Sequence, residues 1–364
     1  MHFKINFMRK SHSAFFIAFI ALVFLAGKAP KISIDNPQEK HLKNLRQLTF
    51  GGDNAEAYFS PDGKCLTFQS NYKKWNLSCD QIFMMKIADA KDSTYHPPRI
   101  SNGEGRTTCS FFMPDGKHIL FASTFKAGKN CPETGDLHAG GKYLWNVFDS
   151  YDIFIADLKG NITKQLTDTL GYDAEAVLSP KGDKILFTST RGGDLDLWTM
   201  NIDGTNPQQI THELGYDGGG FFSPDGTKIV FRASRPKTEA EIKEYKDFLA
   251  RGLVAPVAME IFTCNVDGSD MKQVTNLGKA NWAPYFTPDM KRIIFSSNHQ
   301  SQKGYDFQLF SVNLDGTGLE QITYESVFNS FAMFSPDGKH LAFSSNRLNG
   351  GTHDTNVFIA DWVE

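Results

Sequence analysis

The phrase Phe334-Ser335-Pro336-Asp337-Gly338 and its five relatives set the narrowest limits on what this chain can become. The relatives are Phe59-Ser60-Pro61-Asp62-Gly63, Phe112-Met113-Pro114-Asp115-Gly116, Leu178-Ser179-Pro180-Lys181-Gly182, Phe222-Ser223-Pro224-Asp225-Gly226 and Phe286-Thr287-Pro288-Asp289-Met290. Their prolines recur about every 55 residues, and self-similarity at such a period marks a solenoid, a propeller or a similar array. Each phrase reads as a hairpin turn: Pro presets φ, Asp suits the next position, and Gly takes the left-handed site. A β-rich run ending in Phe follows each, as in Lys228-Ile229-Val230-Phe231.

Two further phrases repeat with the first. One is Arg46-Gln47-Leu48-Thr49, returning at 98–101, 164–167, 208–211, 272–275 and 320–323. The other is an Ile-Phe type strand at 151–157, 196–200, 260–264, 308–312 and 356–360, joined to the Leu-Thr phrase by Asp203-Gly204, Asp267-Gly268 and Asp315-Gly316. Each unit therefore holds four short strands: A ends at Pro-Asp-Gly, B follows, C is the Ile-Phe strand and D ends in Leu-Thr. Four antiparallel strands per repeat make a propeller blade. The chain starts with a lone D strand (Leu45 to Phe50) and stops just after a C strand. The expected fold is all-β: a six-bladed β-propeller of four-stranded antiparallel blades, closed by the N-terminal strand pairing in the last blade. Closure of this kind removes open sheet edges.

Composition agrees. A chain of 364 residues, 40% apolar with 31 Phe, can bury a large core. A net charge of −3 without long blocks of one sign offers no footing for nucleic acid. At the N-terminus, Lys4, Arg9 and Lys10 precede an apolar run from Ala14 to Gly27. That run suits a signal-peptide core and is short for a membrane span. Lys28 stands where a lipoprotein would carry its lipidated Cys, and no clear small-x-small cleavage site precedes it. Residues 1–27 are thus read as a signal peptide or an uncleaved anchor, 28–44 as a polar linker and 45–364 as the propeller. The expected location is periplasmic or secreted, free or held at the membrane by that segment.

Strand direction sorts the loops. The A–B and C–D turns share one face and are tight. The B–C and D–A loops share the other, which carries the insertions 71–80, 124–150, 235–259, 299–305 and 347–355. Loops on a rigid scaffold are where binding concentrates. The 235–259 insertion is predicted to hold a helix: Thr238 to Glu241 is a capping box, Ile242, Tyr245 and Leu249 form an apolar stripe, and Gly252 fits the stop.

Aligning the six A strands places Asn54, Thr107, Asp173, Asp217, Asn281 and Asn329 at one position, expected at the channel mouth on the loop-rich face. Two residues later stand Glu56, Cys109, Glu175, Gly219, Ala283 and Phe331. Asp173 and Asp217 lie in identical Leu-Gly-Tyr-Asp phrases. Carboxylates beside amide and hydroxyl oxygens suit a hard cation, so a bound cation is one expectation, or a polyhydroxylated or cationic ligand. Asp and Asn at a strand start also serve simply as caps. The B strands end at Asn71, Thr124, Arg191, Arg235, His299 and Arg347. These Arg residues suit carboxylates or phosphates, or salt bridges between blades. Trp75, Tyr143, Trp145 and Trp282 are candidates to stack on sugar rings, or to pack as core. Histidines 138, 212, 299 and 353 fall in same-face loops without the local spacing of a metal site.

Five cysteines leave at least one thiol free. Cys65 and Cys264 sit within strands. Topology brings Cys79, Cys109 and Cys131 to the loop-rich face of two adjacent blades. Either Cys79–Cys131 or Cys109–Cys131 would tie the long 124–150 loop, and three reduced thiols are the alternative.

In their order, Phe-Ser-Pro-Asp-Gly-Lys, the Ile-Phe strand, Asp-Gly and Gln-Leu-Thr resemble the repeats of TolB-type propellers, called PD40 or WD40-like, over about 45–364. TolB-type proteins are periplasmic and carry a further N-terminal α/β domain, for which the linker here is too short. The repeats also resemble those of prolyl-oligopeptidase-type peptidases and oligogalacturonate lyases. No G-x-S-x-G elbow is present for the former, and the lyases have seven blades and a His-bound metal. The sequence thus points to an exported binding or scaffold propeller, expected to be a non-enzymatic monomer with no obligatory cofactor. Its partner would be an envelope protein, a peptide or a glycan. The alternative is a carbohydrate-active lyase or hydrolase using channel-mouth carboxylates.

Overall fold

A computed structural model describes residues 34–364; the segment read as a signal peptide or anchor, and the first residues of the linker, lie outside them. Strand order follows the repeats. Blade 1 has A Asn54–Phe59, B Cys65–Ser70 and C Gln81–Lys86, with its D strand reduced to a bridge between Phe83 and Arg99. Blade 2 is Thr107–Phe112, His118–Ser123, Asp152–Asp157 and Ile162–Gln165. Blade 3 is Asp173–Leu178, Lys184–Ser189, Asp196–Asn201 and Gln208–Gln209. Blade 4 is Asp217–Phe222, Lys228–Ser234, Met259–Asn265 and Lys272–Gln273. Blade 5 is Asn281–Phe286, Arg292–Ser297, Gln308–Asn313 and Glu320–Gln321. Blade 6 takes A, B and C from Asn329–Phe334, His340–Ser345 and Asn356–Trp362, and D from Leu42–Gln47. The first strand therefore closes the ring on the last.

The repeated phrases have local physical reasons. In the turns, Ser60 Oγ donates to Asp62 at 2.7 Å and accepts from the Cys65 N–H, while Gly63 sits at φ 69°. In the Leu-Thr phrase, the hydroxyl of Thr167, Thr211, Thr275, Thr323 and Thr49 accepts an N–H from its neighbouring C strand. The preceding Gln then bonds the carbonyl of that Thr, as Gln209 does to Thr211 at 2.8 Å. Each B-strand Phe faces an aromatic of strand C across the ladder: Phe68–Phe83, Phe121–Phe154, Phe187–Trp198, Phe231–Phe262, Phe295–Phe310 and Phe343–Phe358. Burying one such ring stabilises by roughly 1.5–3 kcal/mol, and the pairing pins the register.

The seam corrects one boundary. The closing strand begins at Leu42 rather than Leu45, and the described part of the expected linker is docked rather than loose. Glu39 is fully buried and accepts two hydrogen bonds from Arg347, each at 2.9 Å, and others from the backbone of Tyr324 and Glu325. A buried carboxylate needs such a partner, so Arg347 serves the seam.

Candidate ligand-binding cavity

In every A strand the register shifts between the second and fifth residues. Two residues oppose one there, which is a β-bulge. The third residue of each strand is left-handed: Glu56 at φ 55°, Cys109 at 50°, Glu175 at 56°, Gly219 at 55°, Ala283 at 49° and Phe331 at 57°. Such a conformation costs about 1 kcal/mol for a residue with a Cβ. Its recurrence in all six blades makes it a property of the fold, and Glu56, Cys109, Glu175, Ala283 and Phe331 all line a central cavity of about 670 Å³.

The bulge separates the two sets of aligned residues. Asn54, Thr107, Asp173, Asp217, Asn281 and Asn329 are buried and lie outside the cavity lining. Asn54 donates to the carbonyls of Gly51 and Thr355. Thr107 bonds the Asp80 carbonyl. Asn281 donates to the carbonyls of Met259 and Gly278, and Asn329 to Gln308 and the Glu325 carbonyl. Arg191 bonds both oxygens of Asp173, at 2.9 and 2.8 Å. Arg235 bonds Asp217 and, at 3.0 Å, Glu213. His299 accepts or donates at Ser297 (2.8 Å) and packs on Phe310. The Arg pairs tie strand A to the end of strand B, and the Asn and Thr side chains tie it to the preceding loop and the neighbouring blade; of the residues put forward as ligands, Glu175 lines the cavity.

The insertions of blades 2 and 4 form a roof. The predicted helix spans Glu239–Leu249 with both bonds of its capping box, and buries Tyr245 and Phe248. A two-stranded pairing joins the insertions, Leu253 to Asn146 and Val254 to Trp145, over a small core of Leu144, Phe248 and Leu253. Cys79 and Cys131 are disulfide-bonded, with Cα atoms 5.9 Å apart, while Cys65, Cys109 and Cys264 are free. The bond tethers the blade 2 insertion to blade 1.

The cavity has two unlike halves. One is aromatic. Trp145 from the roof stacks on Trp282 of blade 5 (4.8 Å, 17°), and Trp282 on Phe307 (4.5 Å, 15°). Both faces of Trp282 are thus covered, so this half is an apolar wall and not an open platform for a sugar ring. Trp75 packs on Phe83 and His96 in blade 1, and Tyr143 remains 54% exposed in the roof.

The other half is polar and centres on a group the sequence did not single out, Arg232. Its guanidinium bonds Glu175 and the Tyr216 hydroxyl and lies 5.4 Å from the centre of the Trp145 ring. Glu175 also accepts from Thr188 at 2.7 Å, from Tyr216 at 3.0 Å and from the Gly219 N–H at 2.9 Å. Burial disfavours its charge, yet Arg232 and these donors outweigh burial and hold its pKa below the ordinary Glu value. The glycine run makes room. A Cβ on Gly219 would fall 1.8 Å from Arg232 Nη1, and one on Gly218 would fall 2.6 Å from Glu175 Oε2. Three consecutive glycines in a strand, 218–220, were the legible signal of such close approach.

Glu56 differs. It accepts a hydrogen bond from the Tyr58 hydroxyl at 3.3 Å, and among the described residues no Arg, Lys or His pairs with it. Burial pushes its pKa up to about 7, against partial relief from the Cys109 thiol. Burial raises Cys109 well above an ordinary thiol. Among the described residues no three His, Cys, Asp or Glu converge to hold a metal ion.

Residues 145–248 match the PD40 family, the TolB beta propeller domain. Among solved structures, the chain is similar to a putative TolB from Agrobacterium tumefaciens, with TM-score 0.54 and 19% identity over 86% of this chain and 91% of that one. TolB from Acinetobacter baumannii gives 0.50 and 17% over 86% and 64%. An oligogalacturonate lyase from Vibrio parahaemolyticus gives 0.50 and 11% over 87% and 93%. At such identities the likeness is one of fold, and function must be argued from the site. By repeat and by architecture, the chain is a six-bladed β-propeller with a TolB-like fold, and residues 145–248 match the PD40 family.

Proposed function

We propose that this protein is an exported binding propeller that receives a partner, a segment of an envelope protein or a peptide, in the cavity of its loop-rich face. The cavity carries the reading: a recess of about 670 Å³ lined by both aromatic and polar, hydrogen-bonding side chains, the usual make-up of a ligand site. The TolB-like fold supports a binding or scaffold role. The covered faces of Trp282 favour a peptide over a glycan. The Cys79–Cys131 bond supports an oxidising compartment, in keeping with the basic and apolar N-terminal segment. No helix of the described residues is long and apolar enough to cross a membrane.

A second reading, a carbohydrate-active enzyme, draws on one observation. Glu56 and Glu175 share the cavity, and their environments push their pKa values apart, the pattern of an acid and its charged companion. Asp173 and Asp217, the carboxylates expected to do this work, are buried and occupied by Arg191 and Arg235.

Peptide and glycan arrays probed with the full chain and with Ala283→Phe test the reading. Phe331 holds the equivalent backbone position, so a Phe at 283 fits the bulge and fills the cavity. Peptide hits that disappear in the variant support the proposal. Hits that persist would move the binding surface elsewhere, and turnover of an oligosaccharide that Glu56→Gln abolishes would favour the enzyme.

A further inference from the structure

Charge in the polar half of the cavity does not balance. Asp80 is paired with Arg106 at 2.7 Å and Glu175 with Arg232. Glu56 has no such partner among the described residues, and Arg232 acts on it only from a distance. The Glu175 carboxylate also acts on it from a distance, and the groups that touch it are neutral: the Tyr58 hydroxyl at 3.3 Å and the Cys109 thiol. Gln69 and Thr108, which also line the cavity, are bonded to each other at 2.8 Å. One carboxylate among neutral groups is a poor seat for a divalent metal, which takes several oxygen ligands. It is a good seat for a monovalent cation with N–H donors, because an ion pair formed out of water is strengthened by the low local dielectric. Apolar surface stands beside it. Phe331 occupies the same bulge position in blade 6, the next blade around the ring, and Phe328 and Trp282 continue that wall.

We infer that the cavity takes a primary ammonium group carried on an aromatic or aliphatic body, with Glu56 as its counter-ion and the Phe331 side as the apolar seat. The inference rests on the cavity being the binding site and adds the chemistry of what enters it. Such a group is presented by a free peptide amino terminus or by a small arylalkylamine.

Isothermal titration of the full chain with phenethylamine, 2-phenylethanol and 3-phenylpropionate separates charge from shape. Phenethylamine is expected to bind about tenfold or more tighter than the alcohol, a difference of about 1.4 kcal/mol. Glu56→Gln should bring the amine-to-alcohol affinity ratio close to one. Thermal denaturation of the variant confirms that it is folded. Phe-Gly-Gly compared with its N-acetylated form then assigns the source: a preference for the free amino terminus points to a peptide, and binding of phenethylamine alone to a small amine. Equal or tighter binding of the alcohol or the acid, no binding of the amine, or an amine advantage that survives in Glu56→Gln would overturn the inference. Loss of array hits in Ala283→Phe would still stand in each case, so failure here and failure of the cavity as a binding site are distinguishable.

Discussion

Blades 3 and 4 open with the same four residues and end up with opposite chemistry. Leu170-Gly171-Tyr172-Asp173 and Leu214-Gly215-Tyr216-Asp217 share a frame. The Tyr172 N–H bonds Thr190 Oγ1 at 2.8 Å and the Tyr216 N–H bonds Ser234 Oγ at 3.0 Å. Asp173 pairs with Arg191 and Asp217 with Arg235. Two residues further on they part. Blade 3 projects Glu175 into the cavity, while blade 4 has Gly219 at nearly the same φ. On strand B the register equivalents are Thr188, opposite Ala174, and Arg232, opposite Gly218. Blade 4 omits a side chain so that Arg232 can cross to the carboxylate of blade 3. Five blades hold a residue with a Cβ at this left-handed position, so backbone freedom is not why Gly219 is there. Space for Arg232 is.

The strongest way to break this comparison is Arg232→Met. It leaves Glu175 buried without its cation and is expected to cost about 3–5 kcal/mol, read from urea denaturation. Adding Glu175→Gln should restore much of the loss; equal stability of single and double variants would show that the two residues do not act as a pair.

The disulfide tests whether the roof belongs to the same unit. Cys131→Ser should lower stability by about 2–4 kcal/mol and loosen Trp145 over Arg232. Unreduced, denatured protein should show three free thiols of five, and a count of five would exclude the bond.

Gly219→Ala isolates the space argument. A methyl group would meet the Arg232 guanidinium, so a loss of about 2 kcal/mol is expected. Ala283→Gly serves as the control at the same φ, and similar behaviour of the two would defeat the argument.

Glu56 and Glu175 should also separate by pH. The folded-state pKa of Glu56 is raised, so the unfolded chain releases its proton first. Stability from this group is present below about pH 4.5, falls as pH rises, and levels off above about 7. Glu56→Gln should flatten that decline, gaining on the order of 1 kcal/mol at pH 8 once its partial exposure to the cavity is allowed for. Asp152, Asp196 and Asp217 are raised by burial in the same direction, so the slope shrinks without vanishing. An unchanged slope would mean that Glu56 is solvated.

The smallest effect is expected at Met290, the converse of Gly219. Here φ is 60° in a turn where blades 1 to 4 and 6 have Gly, so backbone conformation is the reason for glycine. Met290→Gly should stabilise by up to about 1 kcal/mol. A loss would mean that the Met side chain packs.

The blade count, strand order, tight-turn face and capped helix were legible because each rests on contacts within a few residues of sequence. Ser-Pro-Asp-Gly closes its own hairpin, and Gln-x-Thr stitches its own blade. The position of Asn54 and its equivalents was misread for a definite reason. Simple alternation along strand A treats its first and third residues alike, and the bulge breaks that parity. Glu39 gave no signal, because its partner Arg347 lies 308 residues away.

The sequence by itself determined a closed ring of six four-stranded blades, since periodicity and turn chemistry are local and repeat. Only the tertiary structure decided which side chains meet at the centre of the ring. Glu175 and Arg232 belong to different blades, Trp145 reaches blade 5 from an insertion of blade 2, and among the described residues Glu56 is left without a paired cation. Those encounters depend on how blades are arranged about a common axis, and no spacing along the chain encodes the distance between groups that only closure brings together.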